Sequence, residues 1–255
     1  MPELPEAETI VRSLGPHVDG GLIVRAEFRT RRVSRDRAEE LAGRVVERTE
    51  RYGKQILMRL DRGWLLVKLG MTGSLLWNSE PGTYTRALIE FEHGHLCYDD
   101  VRQFGSLSLL GSPPDRLGPD PLEVAPDEFV RRLRARDTEV KRVLLDQSFL
   151  RGIGNIYADE ALFRAGIRPR TRTRRLPIQR ALLLHGEIAA LLTAAIEHRG
   201  SSVSDYVDAA GDKGSFQNLH RVYGRGGEPC HQCGSPIRRI VVAQRGTHYC
   251  PTCQR

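Results

Sequence analysis

Two glutamates just behind a proline at the start of the chain, and four cysteines near its end, are the residues with the clearest chemical potential. Removal of Met1, common where proline follows, would leave Pro2 as the first residue with a secondary amine. An α-amino group titrates near about 8, against about 10.4 for lysine, so far more of it is unprotonated at neutral pH. Attack by that nitrogen on an electrophilic sugar carbon would give an iminium ion with no N–H proton to lose, which therefore persists as an electron sink. Such a sink acidifies the neighbouring carbon and favours elimination. Glu3 stands next to it, suited to protonating a leaving group or a sugar ring oxygen and later taking a proton, while Glu6, one helical turn further, is suited to orienting or assisting. Taken alone, these residues more often simply open a helix.

The cysteines form Cys230-His-Gln-Cys233 and Cys250-Pro-Thr-Cys253, a C-x2-C-x16-C-x2-C spacing that falls within the range of a four-thiolate zinc ribbon. Two residues between thiolates let both sulfurs face one tetrahedral ion, and residues 237–242 and 247–249 form the expected hairpin between the knuckles. So small a segment has little core of its own, so the metal supplies much of its stability. Disulfides are the competing reading, which the lack of a secretory leader disfavours. All four positions are filled by protein, so one structural Zn2+ is expected. The hairpin turn, Gln244-Arg245-Gly246, would carry a guanidinium at the tip of a rigid ribbon, an element that fits a DNA groove. Cys97 lies apart and reads as a small buried hydrophobe.

A third feature is Leu150-Arg-Gly-Ile-Gly-Asn155, immediately before a helical run to Phe163. Without side chains at Gly152 and Gly154 the backbone can approach an anion closely, the helix start offers free N–H groups, and Asn155 adds a neutral donor. Helix, glycine turn and second helix also describe a class of DNA reader, although an ordinary helix–helix turn has the same signature.

The elements that must hold these groups follow from periodicity. Pro5 suits a first helical turn, residues 9–14 read as helix, and Gly15-Pro16 should stop it. Short β-rich runs at 22–28, 55–60, 64–69, 87–92, 95–98 and 106–110 predict a sandwich or barrel. Residues 111–126, with five prolines and two glycines, predict an interdomain hinge. Beyond it, apolar residues at helical spacing in 127–136, 139–145, 155–164, 178–198 and 204–208 predict a helical domain, and 223–255 returns to strands.

Charge sharpens the division. Residues 1–140 hold 21 basic and 23 acidic side chains, whereas 141–255 hold 18 and 9, making the second half a candidate polyanion binder. With 35 arginines and only 4 lysines, part of that excess also fits a compositional bias toward arginine. At 255 residues and 40% hydrophobic content, the chain is long enough to bury a sizeable core. It has no apolar run of membrane-span length, and its first 15 residues carry three glutamates instead of a basic, then apolar, leader. A soluble, non-secreted protein is expected, and collagen, coiled-coil and solenoid architectures are excluded.

Six segments in order resemble the formamidopyrimidine-DNA glycosylases: residues 1–6 (Met-Pro-Glu-Leu-Pro-Glu), 69–73 (Leu-Gly-Met-Thr-Gly), 99–105 (Asp-Asp-Val-Arg-Gln-Phe-Gly), 152–160 (Gly-Ile-Gly-Asn-Ile-Tyr-Ala-Asp-Glu), 222–225 (Val-Tyr-Gly-Arg) and the cysteine segment with Ala243-Gln-Arg245. The resemblance implies an α+β multidomain fold. It comprises an N-terminal helix plus two-layer β-sandwich over 1–112, a hinge at 113–126, a helical helix-two-turn-helix domain over 127–222 and a zinc-finger β-hairpin over 223–255. It also implies a bifunctional glycosylase and abasic-site lyase of base excision repair. Such an enzyme excises 8-oxoguanine and formamidopyrimidines and cleaves by β,δ-elimination, acting as a cytoplasmic, nucleoid-associated bacterial monomer on damaged duplex DNA. Pro2 matches the Schiff-base nucleophile and Glu3 the acid/base carboxylate, with Glu6 and Lys54 in the catalytic set. Lys54, Lys68, Asn155, Tyr223 and Arg245 match the DNA-contacting positions. Met71, Arg102 and Phe104 match side chains that fill the stack vacated by a flipped nucleotide and address the opposite base. Val101 and Gln103 stand where Pro and Arg are frequent, Lys68 where His is usual, and Ser148 where some members carry lysine. The segment 208–217 resembles a loop that closes over an everted base. Two alternatives are an endonuclease VIII-like enzyme for oxidised pyrimidines, disfavoured by Leu4 and Met71, and a non-catalytic zinc-ribbon DNA-binding protein, which would need neither Pro2 nor Glu3.

Overall fold

The computed structural model describes residues 2–203 and 205–255. Met1, whose removal is expected, and Ser204, the first residue of the expected helix at 204–208, lie outside the described residues. The chain divides into two compact units, Met1–Asp115 with His198–Gln217, and Arg116–Glu197 with Asn218–Arg255.

The first unit opens with α1 (Leu4–Val18). The helix runs past Gly15-Pro16, where the sequence predicted a stop. Pro16 falls in the last turn, where a missing N–H costs one bond, and the burial of Leu14 and Val18 holds that turn in place. Eight strands follow: β1 (Ile23–Phe28), β2 (Val46–Tyr52), β3 (Gln55–Leu60), β4 (Trp64–Lys68), β5 (Gly73–Trp77), β6 (Thr85–Phe91), β7 (Gly94–Asp100) and β8 (Ser106–Leu110). They form two antiparallel four-stranded sheets, ordered β1-β6-β7-β5 and β2-β3-β4-β8, the expected two-layer sandwich. Alternation builds the core: Ile56, Met58 and Leu60 of β3 and Leu65 and Val67 of β4 join Ala87, Ile89 and Phe91 of β6 and Leu96 and Tyr98 of β7. On α1, Ile10, Leu14 and Val18 close the same core.

Residues 198–217 belong to this unit, whereas the sequence placed them within the helical domain. The cause is direct bonding: Trp77 N–H donates to Ala209 O at 2.9 Å, Ala209 N–H to Ser13 Oγ at 3.1 Å, and Tyr206 and Ala209 enter the sandwich core. Residues 205–208 form no helix, because the Asp208 carboxylate instead accepts the N–H groups of Ala210 and Asp212, both at 3.0 Å, and closes a turn.

In the second unit α2 (Pro126–Arg134), α3 (Val140–Leu145), α4 (Asn155–Arg164) and α5 (Ile178–Glu197) precede a two-stranded ribbon of β9 (Arg238–Val242) and β10 (Arg245–Tyr249). Of the expected hinge, residues 116–125 fold onto this unit: Gly118 N–H donates to Gln147 O, Arg151 N–H to Pro119 O, and Asp120 is buried. No helix among the described residues is long and apolar enough to cross a membrane.

Candidate active site and nucleic-acid contacts

Pro2 and Glu3 are buried at the mouth of α1, with Glu3 as the helix N-cap. The Glu3 N–H donates to Glu6 Oε2 at 2.7 Å, and the other Glu6 oxygen, Oε1, accepts the Ser201 N–H at 2.7 Å. Glu6 is thus fixed at both oxygens. It ties the first residues of the chain to a loop almost two hundred positions later, a restraint on position suited to holding Pro2 and Glu3 still. The loop passes so close that a Cβ on Gly200, whose φ is +78°, would lie 2.7 Å from Glu6 Oε1. Ser201 and Gly200 carry no sequence signal for this role.

Lys54 sits in the two-residue turn joining β2 to β3, after Gly53 at φ +66°. The hairpin is fastened to α1 by Arg51, whose Nε lies 2.8 Å from Glu8 Oε2, while Arg12 takes Oε1 at 2.8 Å. Burial pushes the Glu8 carboxyl up, but the hydrogen bonds and charges of Arg51 and Arg12 outweigh it and hold Glu8 below the usual carboxylate range. The turn bearing Lys54 and the helix bearing Glu3 therefore belong to one braced assembly.

Met71 and the pair Arg102 and Phe104, distant from it in sequence, come together on two adjacent turns. Arg102 Nη1 lies 3.5 Å from Met71 Sδ, and its guanidinium stacks 4.7 Å from the Phe104 ring centroid. Met71 is 46% and Phe104 62% exposed, so two large apolar side chains are held in solvent around an arginine. The fully buried Asp100 carboxylate organises them: it accepts Thr72 Oγ1–H at 2.6 Å, Gly105 N–H at 2.9 Å, Arg102 N–H at 3.2 Å and Tyr98 Oη–H at 3.2 Å. Tyr98 also reaches Lys68 O, the exposed end of β4. Gly105 is required by that closeness, since a Cβ there would lie 1.9 Å from the Tyr98 hydroxyl. Asp100 stood inside a recognised motif without an assigned task.

In the second unit the glycine-rich start of α4 is braced by Gln147, whose Oε1 accepts Gly152 N–H at 2.9 Å and whose Nε2 donates to Ile153 O at 2.8 Å. Gly154 is the helix N-cap. Asn155 Nδ2 donates to Gly246 O at 2.8 Å, next to Arg245. Arg245 is exposed as the first residue of β10, paired with Val242. The turn itself is Ala243-Gln244, with φ of 50° and 60°, one position earlier than the sequence suggested. A two-residue hairpin loop with both φ positive matches the right-handed twist of its strands, which places the turn there. Behind the hairpin, the fully buried Lys141 ammonium donates to Asp159 Oδ1 at 2.6 Å and Thr247 Oγ1 at 2.7 Å. Asp159 Oδ2 accepts the His248 N–H at 2.8 Å. The strand bearing Arg245 is thereby fixed to the helix bearing Asn155. With only four lysines in the chain, Lys141 offered a signal that motif reading passed over. Glu160 accepts the N–H groups of Arg221, Val222 and Tyr223, setting the Tyr223 ring edge-on to His220 and His248. Burial holds His220 down to about 4, in its neutral form.

The thiols of Cys230, Cys233, Cys250 and Cys253 all lie within 4.8 Å of one another. Cys233 and Cys250 Sγ are 3.4 Å apart and Cys230 and Cys253 Sγ 4.0 Å, close to the separation of about 3.8 Å that a tetrahedral ion with Zn–S bonds of about 2.3 Å requires. Hydrogen bonds from the Ser235 side chain and backbone lower the Cys233 thiol to about 6, whereas burial raises those of Cys250 and Cys253. Among the described residues, Phe163, Val222 and Ile237 complete a small apolar cluster around them, so the donor set fits a metal-built core. Cys97 is fully buried, its Sγ against Ser79 O, and burial raises its thiol to about 11.

Comparison with known proteins agrees with this geometry throughout the chain. Residues 1–107 match the formamidopyrimidine-DNA glycosylase N-terminal domain, residues 117–207 the H2TH domain of the same enzymes, and residues 227–255 a zinc finger found in FPG and IleRS. The formamidopyrimidine-DNA glycosylases of Solibacter usitatus and Methylococcus capsulatus are 50% and 42% identical, each covering 100% of both chains. The crystal structure of MutM (Fpg) from Thermus thermophilus superposes with a TM-score of 0.91 at 41% identity, covering 99% of this chain and 98% of that one. A Lactococcus lactis FPG mutant bound to Fapy-dG-containing DNA gives 0.92 at 34% identity over 100% of both. Fold and site define a DNA glycosylase of base excision repair with abasic-site lyase activity and one structural zinc site. The chain belongs to the formamidopyrimidine-DNA glycosylase family.

Proposed function

We propose that this enzyme excises oxidised purines, 8-oxoguanine and formamidopyrimidines, from damaged duplex DNA, acting as a cytoplasmic monomer with Pro2 as nucleophile. Once Met1 is removed, the Pro2 nitrogen attacks C1′ of the damaged nucleotide as the glycosidic bond breaks and the departing base takes a proton; the nitrogen then loses its own proton, and its lone pair opens the sugar by breaking the C1′–O4′ bond as Glu3 protonates O4′, leaving an iminium at C1′. The resulting iminium draws electron density from C2′, so loss of a C2′ proton expels the 3′ phosphate and a second elimination expels the 5′ phosphate. Glu6, held by Glu3 N–H and Ser201 N–H, positions this turn. Lys54, Lys68, Asn155, Tyr223 and Arg245 engage the backbone near the lesion, while Met71, Arg102 and Phe104 fill the gap left when the nucleotide swings out. One observation carries the reading: Glu3 is buried beside Pro2 in a helix start that a distant loop clamps through Glu6.

Borohydride trapping on an abasic duplex tests the mechanism. The mature enzyme is expected to give a covalent adduct at the N-terminal residue, and Glu3→Gln to lose base excision by at least a hundredfold. No adduct from a sample whose intact mass shows Met1 removed would discard Pro2 chemistry. A cleavage panel of 8-oxoguanine, formamidopyrimidine and oxidised pyrimidines, each opposite four bases, tests the lesion range; preference for pyrimidines would favour the endonuclease VIII-like alternative.

A further inference from the structure

The first unit carries a feature that the reaction does not use. Residues 29–37 contain five arginines and one aspartate, a local charge of +4 within a stretch, residues 1–140, whose acidic side chains outnumber the basic ones by two. The segment borders an open cleft of about 1350 Å³, whose wall also includes Arg102, Gln103 and Phe104. Arg31, Arg32, Arg35 and Arg37 are exposed, and among the described residues their side chains enter no hydrogen bond or ion pair.

The backbone beneath them is firmly held. Val33 is buried in the sandwich core and its carbonyl accepts Leu107 N–H at 2.9 Å. Ser34 is buried, and its Oγ accepts Asp36 N–H at 3.2 Å, while Asp36 Oδ2 accepts Leu109 N–H at 2.6 Å. Thr30 Oγ1 donates to Gln103 Oε1 at 3.2 Å, fastening one end of the segment to the turn that carries Arg102 and Phe104. Anchors and arginines therefore interleave: Thr30, Val33, Ser34 and Asp36 fix the chain, and the guanidiniums between them project without internal partners. Clustering like charges on a pinned loop raises the energy of the free protein, and a polyanion relieves that repulsion. Guanidiniums suit phosphate in particular, presenting paired donors to paired oxygens.

We infer that Arg31, Arg32, Arg35 and Arg37 form a phosphate track for the DNA duplex beside the Arg102–Phe104 turn, separate from the contacts proposed at Lys54, Asn155 and Arg245. The inference rests on the DNA-binding reading above. Its contacts are to backbone, so the track adds affinity and salt dependence without adding sequence preference. The choice of DNA over an acidic protein follows from continuity: the track shares its cleft with side chains that the same reading places inside the duplex stack.

The test is the salt dependence of duplex binding by the full-length zinc-loaded enzyme and by a variant with Arg31, Arg32, Arg35 and Arg37 all changed to Ala. Each lost phosphate contact should flatten the log–log slope by about 0.9, so the variant should lose about 2 to 3.6. A control with Arg48, Arg59 and Arg62 changed to Ala removes three charges from exposed positions elsewhere on the unit, and should lose less than about 1. Equal loss in both, or an unchanged slope in the first, overturns the track, as does loss of polyglutamate binding with duplex binding intact. Borohydride trapping of the parent keeps the two levels apart. Without an adduct the catalytic reading fails, whereas an adduct with an unchanged slope removes only the track.

Discussion

Two buried aspartates fasten two pairs of loops by different electrostatics. In the first unit, Asp100 gathers the Met71 turn and the Arg102–Phe104 turn with hydroxyl and backbone donors from Thr72, Tyr98, Arg102 and Gly105. In the second, Asp159 joins α4 to the zinc hairpin through the Lys141 ammonium and the His248 N–H. Neutral donors spread around a carboxylate fail one at a time. An ion pair sealed from water does not, because removing one partner leaves a bare charge in a medium that cannot solvate it. The hairpin should therefore be the more brittle of the two, and it leans on a metal as well.

The largest effect should come from the metal. Cys250→Ser, or stripping zinc with a strong chelator, is expected to unfold the ribbon. Its apolar cluster is small, and structural zinc binding contributes an apparent 10–16 kcal/mol or so in isolated fingers. Hydrogen exchange would show this as lost protection at Ile240 and Thr247, with the sandwich amides at Ile56 and Leu96 unchanged. Retained protection at the hairpin would mean that Lys141 and Asn155 hold it without the ion.

Next in size is Lys141→Met, expected to cost about 3–5 kcal/mol in chemical denaturation because Asp159 is left charged and unpaired. Lys141→Met with Asp159→Leu should recover most of that loss, short of the share due to the His248 N–H. A double variant no more stable than the single one would show that the pair itself stabilises the unit, contrary to the electrostatic contrast drawn here.

Much of the architecture was legible because burial leaves a periodic trace. Alternation gave β1, β3, β4, β6, β7 and β8, and helical spacing gave α2 to α5. The strands that escaped, β2 and β5, are two of the four sheet edges, whereas the other two, β1 and β8, were legible. β2, Val46-Glu-Arg-Thr-Glu-Arg-Tyr52, buries little more than Val46 and Thr49, and β5 opens on Gly73-Ser74. An edge position permits such polar sequences but does not impose them: β1 and β8 keep enough apolar residues to be reported by the pattern, and β2 and β5 do not. The extension of α1 through Pro16 was hidden for the opposite reason, since tertiary burial of Val18 overrode a local stop signal. The proposed chemical positions rest on the family resemblance, while the groups that support them in the structure carried no such signal. Ser201 acts through its backbone N–H, which any residue but proline would supply. Gln147 bridges the backbone as acceptor and donor and Asp100 gathers donors, roles that residue type alone does not announce.

The smallest of these effects falls on Asp100 and carries a pH signature. Burial pushes this carboxyl up, but the hydrogen bonds from Thr72, Gly105, Tyr98 and Gln103 outweigh it and leave Asp100 below the usual range for an aspartate. Because the folded value lies below the unfolded one, near about 3.9, the carboxylate's contribution is fully present above about pH 5, starts to fall near the unfolded value and is lost as pH falls through the folded value. Asp100→Asn keeps the shape but turns an NH2 group toward donors that expect an acceptor, at a cost of about 1–3 kcal/mol at pH 7. Urea denaturation of the two proteins should therefore show a gap that narrows as pH drops from 5 toward 3, as the parent loses what the variant never had. A gap constant over that range would mean that the stabilisation comes from packing around Tyr98 and Gly105 and not from the charge. The contrast with the lysine-paired Asp159 would then lose its electrostatic basis.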